Sequence, residues 1–80
     1  MMELKDTTAM MTSPDYKERF RAEYYQLKIR YEKLTAMLDN WDHLDFEPSC
    51  QKDLLMNQAD VMYNYMKILE NRAQIENVAL

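Results

Sequence analysis

The sequence predicts an all-α protein, a long antiparallel two-helix hairpin that assembles into a homo-oligomeric helical bundle. First, the 80-residue chain contains no glycine, although tight turns of small sheet proteins take glycine most readily at positions of positive φ. Second, residues with high helix propensity, among them Leu, Met, Ala, Glu, Lys and Gln, are abundant. Third, apolar residues recur at helical spacing in two long segments. We expect one hairpin domain at residues 13–80.

The first predicted helix covers about residues 14–41 and follows a flexible N-terminal tail, residues 1–12, which shows no apolar periodicity. Ser13 is the expected cap, and Pro14 suits the first helical position because its missing N–H would be unpaired there in any case. Beyond this start, apolar residues follow the alternating 4-3 spacing of a coiled-coil seam. They are Phe20, Tyr24, Leu27, Tyr31, Leu34, Leu38 and Trp41.

A turn at about residues 42–49 separates the helices, because Pro48 disfavours helical geometry at the residue before it. Ser49 is expected to cap the second helix, which covers about residues 50–76. This helix carries two apolar stripes. The first consists of Leu55, Ala59, Met62, Met66, Leu69 and Ala73, and the second of Leu54, Val61, Tyr65, Ile68 and Ile75.

The second stripe predicts self-association, since one partner helix can cover only one of the two stripes. Ordering a residue costs roughly 1.5 kcal/mol of conformational entropy, against about 25 cal/mol gained per Å² of buried apolar surface. A lone two-helix hairpin therefore lacks a sufficient core, whereas an oligomeric bundle supplies one. We predict an oligomer interface at Leu54, Val61, Tyr65, Ile68 and Ile75.

Charge and hydropathy exclude several classes of protein. The chain holds 10 basic and 14 acidic residues, a net charge of −4, which argues against non-specific DNA binding. No stretch reaches the roughly eighteen apolar residues of a membrane span, so we expect no membrane association and a cytoplasmic location. Cys50 is the single cysteine and forms no internal disulfide; it is expected to be buried near the start of the second helix.

The residues suggest no catalytic site. The chain has one histidine, His43, and no nucleophile elbow, phosphate loop or paired-histidine motif. His43 lies among four acidic residues without the spacing of a calcium loop, so we interpret this region as a solvated acidic turn. The acidic residues are Asp39, Asp42, Asp45 and Glu47. We therefore predict no enzyme activity, no metal and no cofactor.

Aromatic residues beside cations form the pattern that favours a ligand. Tyrosine rings stack on bases, and arginine forks bind phosphates with two hydrogen bonds. In an antiparallel hairpin, Arg72 comes to the level of Phe20. The predicted ligand-binding residues are Tyr16, Arg19, Arg21, Tyr24, Tyr25, Lys28, Tyr65 and Arg72. In the alternative interpretation the tyrosines only pack along the seam, and Arg72 pairs with Glu18, Glu23 or a carboxylate of a neighbouring subunit.

Two features of the sequence suggest a relationship to known proteins. One is the turn Leu44-Asp45-Phe46-x-Pro48-Ser49-Cys50, and the other is the spaced set Gln58, Met62, Tyr65, Leu69 and Arg72. Through these two features, residues 16–78 resemble a family of small helical-hairpin phage proteins related to those of crAss-like phages. Family members often have proline after this cysteine and glycine near the end, where this chain has Gln51 and Asn77.

More loosely, this group is similar to the helical-hairpin sponges with which phages block CBASS and Thoeris immunity. Those proteins oligomerise and hold cyclic oligonucleotides or ADP-ribose-derived signals without cleaving them. The resemblance implies a counter-defence protein that sequesters a small nucleotide signal at inter-subunit sites, in the cytoplasm of an infected bacterial host. No sponge binding motif matches this chain residue by residue. The alternative is a protein-binding adaptor or inhibitor that uses the second stripe, and a purely structural homo-oligomer comes third.

Overall fold

The computed structural model describes residues 2–80, and in this range the chain is helical and contains no strand. Its elements are a 3-10 helix at Leu4–Thr7, α1 at Thr8–Met11, α2 at Tyr16–Asp39, a 3-10 helix at Trp41–His43 and α3 at Lys52–Glu76. The helices α2 and α3 pack side by side as an antiparallel hairpin, within overall dimensions of 42 × 24 × 19 Å. The all-helical fold and the hairpin packing predicted from the sequence are thereby confirmed.

The start of α2 uses the Ser-Pro-Asp sequence differently from the prediction. Asp15 is the N-cap, and its Oδ1 accepts a hydrogen bond from the backbone N–H of Lys17 at 3.0 Å. Ser13 lies further out, where its Oγ accepts a bond from the backbone N–H of Asp15 at 3.1 Å. The helix therefore begins two residues after the predicted position, because the aspartate carboxylate pairs the orphan N–H groups of the first turn.

The end of α2 and the start of α3 also lie inside the predicted bounds, while α3 ends at Glu76. α2 ends at Asp39, where the side-chain amide of Asn40 donates to the carbonyl of Ala36 at 3.0 Å and pairs one of the last helical carbonyls. Trp41, predicted as the last seam residue, consequently lies in the separate 3-10 helix. α3 begins after Gln51, which makes no side-chain cap bond, so the expectation that Ser49 caps this helix is wrong.

The first apolar stripe of α3 faces α2 as predicted. On α3, Met66, Leu69 and Ala73 are buried, and they pack against Phe20 and Tyr24 of α2. Leu27 and Tyr31 lie at the edge of this core. The buried residues are concentrated toward the open end of the hairpin, where α2 begins and α3 ends.

A left-handed residue closes this end of the core. Asn77 has φ 58° and ψ 44°, and its backbone N–H bonds the carbonyl of Ala73. The N–H of Val78 bonds the same carbonyl at 2.8 Å, the pattern of a Schellman cap. This reversal turns the side chain of Val78 back into the core, where it is buried.

The N-terminal residues, expected as a flexible tail, form a helical segment against α2. Thr7 is fully buried, its hydroxyl donates to the carbonyl of Leu4 at 2.7 Å, and Gln26 of α2 donates to that hydroxyl at 3.0 Å. Ala22, one turn before Gln26, is also fully buried. Since Ala22 lies roughly 200° around the helix from Phe20, α2 is covered on one side by α3 and on the other by this segment.

Candidate ligand-binding site at the open end of the hairpin

Four side chains meet at the open end of the hairpin, and we call them the open-end cluster: Tyr16, Phe20, Arg72 and Glu76. The guanidinium of Arg72 lies over the ring of Phe20, with its carbon 5.1 Å from the ring centre. Arg72 Nε donates to Glu76 Oε2 at 2.9 Å, and Nη2 donates to the hydroxyl of Tyr16 at 3.0 Å. The Tyr16 hydroxyl in turn donates to Glu76 Oε1 at 2.5 Å. The cluster therefore joins the start of α2 to the end of α3 through a network of three hydrogen bonds beside the ring of Phe20.

The charges of the cluster stabilise one another. Hydrogen bonds from Tyr16 and Arg72 hold the pKa of Glu76 below its usual value. The bond to Glu76 likewise raises the pKa of Tyr16 and that of Arg72. A guanidinium has five N–H groups, and within residues 2–80 Arg72 uses two of them. The remaining donors lie on a half-exposed side chain, where an anion could reach them.

Two further arginines of the predicted site lie at the same end. The guanidinium carbon of Arg19 is 6.0 Å from the ring centre of Tyr16, and its Nη1 donates to the carbonyl of Ser13 at 2.8 Å. Arg21 Nε donates to the carbonyl of Ala79 at 2.7 Å. The structure thus brings Tyr16, Arg19 and Arg72 together, while Arg21 holds the residues that follow α3.

The two tyrosines midway along the hairpin differ in exposure. Tyr24 is 7% exposed, and its hydroxyl donates to Glu70 Oε2 at 2.7 Å across the α2–α3 interface. Burial, followed by the bond to Glu70, raises the pKa of Tyr24 to about 12. Tyr65 is exposed on α3, and its hydroxyl donates to the carboxylate of Glu23. Tyr65 can contact a ligand, whereas Tyr24 serves the core.

Tyr25 and Lys28 lie elsewhere on α2, where Tyr25 packs against the edge of the core and both residues adjoin the N-terminal segment. With five other residues they line a cavity of about 330 Å³, which we call the back cavity. The other lining residues are Met2, Glu3, Ile29, Glu32 and Lys33. Its volume is at the lower end of small-molecule sites. The eight predicted ligand-binding residues are therefore divided between separate places.

Four aliphatic residues of the predicted interface form a line on the outer face of α3, which we call the outer stripe: Leu54, Val61, Ile68 and Ile75. They are 58–80% exposed. Tyr65, the fifth predicted interface residue, is exposed beside this line. The hairpin alone leaves this face to solvent.

Two expectations from the sequence need correction. The carboxylate that pairs with Arg72 is Glu76, and not Glu18 or Glu23, because Glu76 lies one helical turn further along the same face of α3. The i,i+4 spacing was a signal for this pair that the sequence reasoning missed. Cys50, expected to be buried, is exposed because it precedes α3 in a turn that lies off the core.

Within residues 2–80, no three His, Cys, Asp or Glu side chains come together as ligands of a metal ion. His43, Asp42 and Asp45 are all exposed. None of the helices in this range is long and apolar enough to cross a membrane.

The fold defines a small all-α hairpin protein. The Sequestin family model matches residues 14–75, most of the chain and the greater part of both hairpin helices, so the protein belongs to the Sequestin family. The family name indicates a binding role rather than a catalytic one, and it agrees with the resemblance to sequestering proteins found in the sequence. No curated protein and no solved structure matches the chain.

Proposed function

We propose that this protein is a non-enzymatic phage counter-defence protein that binds and sequesters a small nucleotide immune signal. The signal is a cyclic oligonucleotide or an ADP-ribose-derived molecule in the cytoplasm of an infected bacterial host. One observation carries the proposal: in a member of the Sequestin family, the guanidinium of Arg72 lies over Phe20 and is held by Tyr16 and Glu76 at the open end.

Each part of a nucleotide has a suitable group in the open-end cluster. The unused N–H groups of Arg72 suit a phosphate, and Arg19 supplies a second positive charge beside Tyr16. The exposed ring of Tyr16 offers a face on which a base can stack. The Glu76 carboxylate can accept hydrogen bonds from ribose hydroxyls, as acidic residues do in dinucleotide sites.

The back cavity suits a phosphate less well. Lys28 and Lys33 are there, but the carboxylates of Glu3 and Glu32 balance their charge. At the open end, Arg19 and Arg72 face one carboxylate of the cluster, that of Glu76. For this reason we assign the nucleotide to the open-end cluster, although Tyr25 and Lys28 were among the predicted ligand-binding residues.

A single chain offers only one wall of such a site, since Tyr16 and Arg72 are both about half exposed. Sites that hold small ligands usually bury roughly 70–90% or more of the ligand surface. A second subunit would supply the missing wall. We therefore propose that the protein works as a homo-oligomer, with the outer stripe and Tyr65 at the interface and the ligand bound between subunits.

The proposal is tested by thermal-shift screening against cyclic dinucleotides, cyclic trinucleotides and ADP-ribose derivatives. At least one compound should raise the melting temperature, and isothermal calorimetry then gives its dissociation constant. A charge-assisted hydrogen bond contributes about 1.5–3 kcal/mol, so Arg72→Ala should weaken binding roughly ten- to hundredfold. Lys52→Ala is the matched control, because Lys52 is an exposed cation at the opposite end of α3.

Two outcomes would contradict the proposal. If none of the nucleotides stabilises the protein, the proposed ligand class is wrong. If a folded Arg72→Ala variant binds a nucleotide as tightly as the unchanged protein does, the open-end cluster is not the site. Arg72→Lys separates charge from shape, since lysine keeps the positive charge but loses the planar fork and the stacking on Phe20.

A second candidate function is a protein-binding adaptor or inhibitor, and the exposure of the outer stripe favours it. This function requires the stripe to be accessible in the free protein. A protein that is monomeric in solution and binds no nucleotide would support the adaptor.

A further inference from the structure

The outer stripe has the geometry of a helix–helix contact. Its four residues are each seven positions apart, so they lie in a line that drifts only about 20° per step around α3. From Leu54 to Ile75 this line is roughly 32 Å long at 1.5 Å per residue. Each of its side chains is more than half exposed. A straight apolar line of this length matches one face of another long helix.

The size of the molecule indicates how much surface a partner would cover. Its accessible surface is 5956 Å², whereas a compact monomer of its 9.7 kDa mass is expected to expose about 5100 Å². The surplus is close to the roughly 800 Å² that each partner buries in a standard interface. The radius of gyration, 14.7 Å, also exceeds the approximately 12 Å expected of a compact chain of this length.

Polar residues flank the outer stripe in two parallel rows. One row is Asn57, Asn64 and Asn71, and the other is Gln58, Tyr65 and Arg72, both again at seven-residue intervals. Five of these six side chains are uncharged, and amide and hydroxyl groups can both donate and accept hydrogen bonds. Rows of this kind can pair with copies of themselves, which favours a second copy of this chain as the occupant of the stripe.

From these observations we propose that two copies pair antiparallel through the outer stripe, about a two-fold axis near Asn64 and Tyr65. The stripe is centred between these residues, so Leu54 faces Ile75 of the partner subunit and Val61 faces Ile68 of the partner subunit. In a two-fold antiparallel pair each flanking row meets its own copy, so the asparagine rows pair with one another. A parallel pair would instead align the two helix dipoles and bring both Arg72 side chains to one level.

The antiparallel arrangement adds a residue to the ligand site, a step that rests on the proposed function. Arg72 lies at the level of the partner subunit's Gln58, because the row that contains Gln58, Tyr65 and Arg72 pairs with the same row of the second copy. The partner subunit's Gln58 would then provide an amide beside the guanidinium, able to bond a base edge or a ribose hydroxyl. Each dimer would contain two equivalent open-end sites, and neither site would be complete in a single chain.

Disulfide cross-linking without ligand tests the pairing and its direction. In a Cys50→Ser background, Leu54→Cys and Ile75→Cys proteins are mixed and mildly oxidised. Antiparallel pairing should cross-link the mixture and leave each protein alone uncross-linked, because the Cα atoms must come within about 7 Å. Gln74→Cys, exposed on the same helix but off the stripe, is the control and should cross-link with neither.

The opposite patterns overturn the inference. Cross-linking of Leu54→Cys with itself would show parallel pairing, and an uncross-linked mixture would show that the stripe does not pair in this way. Light scattering adds a second readout, in which Ile68→Asp should weaken dimerisation at least a hundredfold while Gln74→Asp leaves it unchanged. A wild-type protein that is monomeric at micromolar concentration would equally refute the pairing.

The partner's contribution to the site has its own test. Gln58→Ala should leave the dimer intact and weaken nucleotide binding about tenfold. Unchanged binding by this variant would remove Gln58 from the site. A stable antiparallel dimer that binds none of the nucleotides would overturn the proposed function and leave the pairing standing. Nucleotide binding by a monomer would overturn the pairing and leave nucleotide binding standing.

Discussion

The hydroxyl of Tyr24 donates a 2.7 Å hydrogen bond to Oε2 of Glu70, joining two residues 46 positions apart across the hairpin. The other carboxylate oxygen of Glu70 lies 3.3 Å from the ammonium of Lys67. The bond from Tyr24 is the main cause that holds the pKa of Glu70 below its usual value. Glu70 thus joins a buried phenol to a surface cation at the rim of the core.

The burial of Tyr24, together with this bond, predicts a late titration of its hydroxyl. The pKa of Tyr24 is raised from 10.0 to about 12, so its stabilising effect is complete below about pH 10 and is lost as the pH rises toward 12. The full effect is about 3 kcal/mol. Phenolate absorbance should show a tyrosine that titrates near pH 12, and this titration should disappear in Tyr24→Phe but persist in the exposed control Tyr63→Phe. Tyr24→Phe should also cost about 1 kcal/mol of stability, and an unchanged late titration would contradict the assignment.

The open-end cluster predicts a loss of stability in acid. Because the pKa of Glu76 is lowered in the folded protein, its contribution is present above the ordinary carboxyl pKa of about 4.3 and is lost as the pH falls through the lower, folded value. Urea unfolding of Glu76→Gln should therefore show a weaker dependence on acidic pH than the unchanged protein. Glu47→Gln, at an exposed turn residue, should keep the full dependence. If the stability of Glu76→Gln depended on acidic pH in the same way as that of the unchanged protein, the open-end cluster would not stabilise the fold through Glu76.

The N-terminal segment predicts that residues 2–12 contribute to folding. Removing them would expose Ala22 and the side of Gln26 that Thr7 covers. We expect a loss of about 2 kcal/mol, or roughly 10 °C in melting temperature for a domain of this size. Lys5→Ala is the control, since Lys5 is exposed. A deletion that melts like the full chain would instead favour the flexible tail expected from the sequence.

The left-handed cap at Asn77 predicts a clear order among substitutions. A side chain with a Cβ atom is strained at φ 58°, asparagine less than most, and glycine not at all. Asn77→Gly should therefore be neutral or slightly stabilising, whereas Asn77→Val should cost about 1–2 kcal/mol and loosen Val78 from the core. Chemical unfolding measures both. Equal stability of the two variants would show that the reversal does not depend on residue 77.

The sequence predicted the features that periodicity determines. The seam residues Phe20 and Tyr24, the first stripe of α3 and the position of Arg72 at Phe20 all follow from helical spacing. Periodicity could not predict the N-terminal segment, because its buried centre is Thr7, a polar residue whose hydroxyl is paired with the carbonyl of Leu4. Polar burial of this kind depends on contacts that appear only after the chain has folded.

The helix ends and the partner of Arg72 illustrate a second limit. Ser13 and Asp15 can both cap a helix, and the choice between them depends on the backbone of the turn. Several carboxylates were within reach of Arg72 in an antiparallel hairpin, and the one it uses, Glu76, is on its own helix. Sequence reasoning identified the residue types at the open end but left their pairing to be decided by the structure.

The separation between contacting residues has a consequence for how the hairpin opens and closes. Midway along the hairpin, Tyr31 packs against Tyr63, while at the open end Tyr16 reaches Glu76, 60 residues away. Closing a longer loop costs more chain entropy, so we expect the helices to zip from the turn outward and to fray from the open end inward. Amide hydrogen exchange should then be slower in the middle of α3 than in the residues after Ala73, the last buried position of that helix. The open end would then be the last part of the protein to form, and binding of the proposed ligand there would complete the folding of the chain.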